Sequence, residues 1–231
     1  MQSPKFFTSF FTDDRLTVEK SPPIPVVWYR VCAGLVLFFT IMGSGFAQKK
    51  VEKVKLDAVV KNFTLKDAAG TSHTLYKLSE EKSATVVLFL ATQCPIVTDY
   101  AERIATLAKA YGEKNVQFIG INSNRQENVK EILEYSEKHK FEFTVLKDPE
   151  NNIADYFGAR RTPEIFLLDA KRVLRYMGAI DNKPKAPTKH YLQNALDLVI
   201  AGENISKASK KTRAMGCTIK RVRKTSVDRT P

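Results

Sequence analysis

The run Thr85 to Ala91 (TVVLFLA) is apolar from its second residue to its last and is flanked by polar residues. A strand of this composition has no face to turn to water, so other elements must cover both sides, as in a parallel or mixed sheet between helices. The chain supplies such a cover at once. After Cys94-Pro95, the residues Tyr100, Ile104, Leu107 and Tyr111 recur at spacings of four, three and four, the apolar stripe of a helix that stops near Gly112.

The pattern then repeats. Val116 to Ile121 reads as a second apolar strand, and Glu127 to His139 as a second helix with Val129, Ile132 and Leu133 turned inward. A short strand near Phe143 to Leu146 follows, then a helical turn over Asn152 to Phe157, the pair Thr162-Pro163, a strand from Glu164 to Asp169 and a hairpin strand from Val173 to Gly178. A closing helix, Thr188 to Ala201, sets Leu192, Ala195, Leu196 and Val199 on one face and ends at Gly202. Ahead of these, Val59 to Leu65 reads as a strand before a turn at Ala69-Gly70. Right-handed βαβ connections put helices on both faces of a central mixed sheet. The expected fold is α/β, with one folded body over 57–202 and a linker over 48–56. With 231 residues, 43% of them hydrophobic, the chain is long enough for one well-filled core and short for two.

The net charge of +12 is unevenly spread, because Ile205 to Pro231 holds nine basic residues against Asp228. The segment 203–231 is therefore expected to be a solvated basic tail, with affinity for an acidic partner or an anionic membrane surface as its functional reading. No groove-binding helix or aromatic interleaving accompanies the charge, so a nucleic-acid module is not expected.

At the other end, Val31 to Met42 has the length of a signal-peptide core, Arg30 supplies its positive flank, and Gly45 and Ala47 stand at positions −3 and −1 of a cleavage before Gln48. Counted through Ala47 the stretch also reaches the lower limit of a membrane span. Segment 1–47 thus reads as a signal peptide or as a retained membrane anchor. Either reading places the domain outside the cytoplasm, periplasmic or extracellular, where disulfides persist. Cleavage would remove Cys32 and leave Cys94 and Cys217.

Thr92-Gln93-Cys94-Pro95 lies where the buried strand hands over to a helix. A thiol there faces the free N–H groups of the first turn, and the helix dipole favours its anion. Pro95 suits that turn, where its missing N–H costs nothing. A buried cysteine acting as a small hydrophobe is the alternative. The histidines His73, His139 and His190 are scattered, so no metal cluster and no cofactor site is expected.

The order of elements, TQCPIV after a buried strand and ARRTPEIFLLD opening a later one resemble the thioredoxin superfamily, in particular its peroxiredoxin-like redoxin (AhpC/TSA) branch. Tyr100 with Arg103-Ile104, Gly120-Ile121-Asn122 and Gly216-Cys217-Thr218-Ile219-Lys220 add to the likeness. The resemblance implies a thioredoxin-like fold, a cis peptide before Pro163, Cys94 as nucleophile, and a substrate-binding edge made by Thr92, Gln93, Pro95, Thr162 and Pro163. It also exposes departures. The second cysteine of the thioredoxin dithiol is replaced by Val97, and the acidic proton acceptor by Leu88. The peroxidatic cysteine of peroxiredoxins would also fall at Val97, with Cys94 at the position of its threonine, and copper-delivery relatives have a cysteine where Thr98 stands.

Cys217 remains as the partner thiol. Lys211, Arg213, Lys220 and Arg221 flank it and would lower its pKa. Folded back, it would resolve a mixed disulfide on Cys94, or else pin the tail as a static bridge. Arg160 and Arg161 are candidates to support the Cys94 thiolate. The expected activity is thiol–disulfide exchange with a protein or small-molecule substrate, or slow peroxide reduction through a Cys94 sulfenic acid. The non-catalytic alternative is a peptide-binding module with a structural Cys94–Cys217 bridge. The sequence names no electron donor.

Overall fold

The computed structural model describes residues 52–223, so the leader or anchor read over 1–47 and the first part of the linker, 48–51, lie outside the described residues. In chain order the elements are β1 (Thr64–Asp67), β2 (Ser72–Thr74), the one-turn helix α1 (Leu75–Leu78), β3 (Ala84–Leu90), α2 (Pro95–Gly112), β4 (Val116–Asn122), α3 (Val129–Lys138), β5 (Thr144–Lys147), α4 (Asn152–Phe157), β6 (Arg161–Thr162), β7 (Glu164–Asp169), β8 (Leu174–Gly178), α5 (Tyr191–Ile200) and β9 (Cys217–Thr218). Among the described residues, no helix is long and apolar enough to cross a membrane.

Seven strands form one sheet in the order β2-β1-β5-β4-β3-β7-β8. β3, β4 and β5 run parallel, while β1, β2, β7 and β8 join antiparallel. Every residue of β3 is buried, as its composition requires. Val86, Leu88 and Leu90 face a core shared with Tyr100 and Ile104 of α2, Ile132 of α3, and Leu192 and Leu196 of α5. Val87 and Phe89 face the opposite core, with Phe63, Leu75, Phe157 and Phe166. The mixed sheet covered on both faces is thus the expected architecture.

α2 begins where expected, with Cys94 in extended geometry at its N-cap and Pro95 in its first turn. In α3 the expected face is rotated. Ile132 is buried, but Val129 and Leu133 are 44% and 48% exposed, and Tyr135 takes the inward place. Ile132 and Tyr135 set the buried face, and the aromatic group of Tyr135, His139 and Phe141 occupies the inward side of the helix while Leu133 turns outward. The strand expected over 59–65 is divided between two places. Val59 bridges to Val173 and the Val60 N–H donates to Arg172 O, whereas the regular strand β1 starts only at Thr64. Between them Val60 and Phe63 cross the second core.

Residues 203–223, the described part of the basic segment, are not a solvated end. Ile205, Ala214 and Ile219 are buried. The Met177 N–H donates to Lys210 O at 2.9 Å, and the Thr212 N–H to Met177 O at 3.0 Å, which extends the edge beyond β8. β9 then pairs antiparallel with β6. Two of the basic side chains turn inward, Lys210 to Asp57 and Arg221 to Asp155. Three apolar anchors thus outweigh the charge of the segment, and the packed body continues to residue 223.

Phe157, 1% exposed, meets Phe63, Phe89, Tyr156 and Phe166 ring to ring. Phe157→Ala is expected to cost about 3–5 kcal/mol. A thermal melt should show this as a Tm lower by about 10 °C.

Candidate active site

Cys94 closes the turn between β3 and α2, so its sulfur lies over the first turn of the helix. The thiol is 2% exposed and donates to the Thr162 carbonyl oxygen at 3.2 Å. Burial pushes the pKa of this thiol up. The Cys217 side chain, the Val97 N–H, the Thr162 hydroxyl and the Cys217 N–H together act more strongly in the other direction, and Cys94 sits below the ordinary thiol value. The Thr162 hydroxyl is buried without a partner in this state, so a thiolate at Cys94 would satisfy it. The Thr162-Pro163 peptide is cis, as the resemblance implied, and both residues are buried.

Cys217 is brought to Cys94 by strand pairing. Thr162 faces Cys217 and Arg161 faces Thr218 across the β6–β9 ladder, both cysteines are free thiols, and each side chain is among the groups that shift the pKa of the other. Gly216, at φ 151°, allows this approach, since a Cβ there would run into the Thr162 carbonyl oxygen. The pKa expected of Cys217 from its basic flank is reversed. Burial first, then the hydrogen bond and charge of Cys94, push it up to about 11, and Lys220 and the Ile96 N–H offset this only in part. Arg221 is spent on Asp155. The Ile96 and Val97 N–H groups, free because they open a helix, therefore reach one sulfur each.

The remaining expected site residues are placed as follows. Thr92 is half-buried, while Gln93 and Pro95 are exposed on the rim. The Arg161 guanidinium donates to Gly216 O at 2.9 Å, so it fixes the approach of β9. Arg160 is exposed, and neither arginine is among the groups acting on the Cys94 thiol. Leu88 and Val97 are buried apolar neighbours. His73 pairs with Asp67 and His190 with Asp181, while His139 packs on Tyr135.

Glu127 is a site residue that the sequence reading assigned to a helix start. It is 1% exposed, and its carboxylate accepts from the Thr92 N–H at 2.8 Å, the Gln93 N–H at 3.1 Å, Asn122 Nδ2 at 2.5 Å and Asn124 Nδ2 at 2.8 Å. It therefore holds the loop that presents Cys94. Beneath it the Lys147 ammonium, its pKa lowered by burial, donates to Asn122 Oδ1, Asn124 O and Glu127 O. Asn124 Oδ1 also accepts from the Lys220 N–H at 2.8 Å, which ties β9 to the same network. The signal in the sequence was the polar run Asn122-Ser123-Asn124 directly after a buried strand.

The AhpC/TSA family model matches residues 56–177. The chain is 28% identical over 145 residues to peroxiredoxin Q, chloroplastic, of Oryza sativa subsp. japonica, covering 60% of this chain and 64% of the rice protein. It is 24% identical over 168 residues to the thiol:disulfide interchange protein DsbE of Allochromatium vinosum, covering 71% and 88%. The crystal structure of a hypothetical protein from Sinorhizobium meliloti 1021 superposes with a TM-score of 0.66 at 28% identity, covering 74% of this chain and 97% of that one.

Two outcomes follow from the site. Because only the thiolate reacts, the pH profile of iodoacetamide alkylation, mapped by peptide mass, should turn up for Cys94 below pH 9 and for Cys217 only towards about 11. Glu127→Gln sets an amide NH2 against buried donors and should cost about 3 kcal/mol in denaturant unfolding, with faster alkylation of the loosened Cys94.

Proposed function

The chain belongs to the AhpC/TSA family, and from that premise we propose that it is a thiol oxidoreductase in which Cys94 is the nucleophile and Cys217 the resolving thiol. The observation that carries this reading is the β6–β9 ladder, which sets Cys217 opposite Thr162, the residue whose carbonyl accepts from the Cys94 thiol, although the two cysteines are 123 residues apart in sequence; the lower pKa falls on Cys94. The Cys94 thiolate attacks one sulfur of a disulfide and expels the other as a thiolate. Cys217 then attacks Cys94, and the pair closes to a disulfide as the substrate leaves reduced. The first-turn N–H groups of α2 hold the negative charge at each stage. No cofactor is required.

Thr92, Gln93 and Pro95 on the rim, with Thr162 and Pro163 behind the sulfur, are the residues proposed to contact the substrate. The apolar stretch Val31 to Met42 with its small-residue end supports export to a compartment where such a disulfide can cycle. Likeness to the rice peroxiredoxin supports a second use of the same pair. In it, a peroxide oxidises Cys94 to a sulfenic acid, and Cys217 condenses with it to release water.

Substitution separates these roles. Cys217→Ser should accumulate a mixed disulfide with a model disulfide substrate on Cys94, seen by intact mass, while Cys94→Ser should lose turnover of both disulfide and peroxide. Undiminished turnover in Cys94→Ser would contradict the proposal.

A further inference from the structure

We propose that the pair exchanges with low-molecular-mass disulfides and thiols, and that the chain's own C-terminal strand keeps extended peptides away from it; this rests on the redox reading above. An extended peptide carrying a disulfide can be held beside a sheet-borne thiol by adding as a strand to a free backbone edge next to it. The edge beside Cys94 is β6, whose Thr162 carbonyl accepts from the thiol itself. That edge is already filled by β9, with Thr162 opposite Cys217 and Arg161 opposite Thr218. The Ile219 N–H continues the pairing to Arg160 O at 3.0 Å.

The strand is fixed on both sides of Cys217. Before it, Thr212 is paired with Met177 and Ala214 is buried. After it, Ile219 is buried in the second core, the Arg125 N–H donates to Lys220 O at 2.9 Å, and the Val222 N–H donates to Asn151 Oδ1 at 2.7 Å. A peptide would have to replace this segment. With Cys94 only 2% exposed, the reactant must be small enough to enter beside the partly exposed Cys217.

For a small disulfide RSSR, the Cys94 thiolate attacks one sulfur, forming Cys94–S–S–R and releasing RS⁻. Cys217 loses its proton to solvent and attacks the Cys94 sulfur, releasing the second RS⁻ and closing the Cys94–Cys217 bond. Two electrons pass from the pair to RSSR. Two equivalents of a low-molecular-mass thiol restore the pair by the reverse steps.

The test compares two probes with the same leaving group on the reduced full chain: the symmetric nitrothiobenzoate disulfide, and a twelve-residue extended peptide whose central cysteine carries nitrothiobenzoate. Release of the coloured thiolate should be about a hundredfold slower from the peptide, the factor expected if a few backbone hydrogen bonds must first be given up. Ile219→Ala and Arg161→Met each loosen the strand by a different contact, and in whichever variant still melts cooperatively the gap should shrink about tenfold. Comparable rates for the two probes on the unaltered chain would overturn the proposal, as would an unchanged gap in both folded variants. If the small probe reacts and the peptide lags, but no turnover follows with excess thiol, the redox reading and the exchange with thiols both fail, and only the exclusion of peptides by the C-terminal strand stands. If neither probe reacts, both fall.

Discussion

Two residue pairs, Arg161 with Thr218 and Thr162 with Cys217, hold the C-terminal strand against the body, and the chemistry of the site depends on them. Each side of the ladder is secured separately. β6 is fixed by Glu164, whose carboxylate accepts from the Arg160 and Arg161 N–H groups, and β9 by Arg161, the buried Ile219 and the Asn124 amide. Without the ladder Cys94 would be a buried thiol with an apolar neighbour at Val97. With it, a second sulfur stands beside the first, although the chain has no local dithiol.

The asymmetry of the pair has a simple origin. Both sulfurs are desolvated, which disfavours either anion. Cys94 has the greater number of donors, and one of them is Cys217 itself, so a charge on Cys94 is stabilised by the proton that Cys217 keeps. The interaction between the two side chains therefore lowers one pKa and raises the other. Glu127 adds its part indirectly. By accepting from Thr92 and Gln93 it fixes the turn, so Cys94 is set by a buried network instead of by a mobile loop.

Much of this was legible in the sequence because burial leaves a one-dimensional trace. The doubly apolar β3 required covers on both faces, and the strand–Cys–Pro–helix order placed the thiol at a helix start. α3 was read one rung off, because Val129, Ile132 and Leu133 are all apolar and only the packing of Tyr135 selects among them. The C-terminal segment was read by its charge. Its three buried anchors are spaced too widely to form a periodic pattern, and they sit among lysines and arginines. Glu127 was missed because a glutamate near a helix start usually faces water, and its four donors come from two loops far apart in sequence.

The central claim is that Cys94 and Cys217 form one reversible redox couple. The direct measurement is a redox titration of the chain in thiol–disulfide buffers, quenched by alkylation and read by intact and peptide mass. The account expects both cysteines to lose alkylation together, with the loss of two hydrogens and a single midpoint that is the same in both directions. Independent oxidation of the two cysteines, or an oxidised form that no thiol buffer reduces, would contradict it.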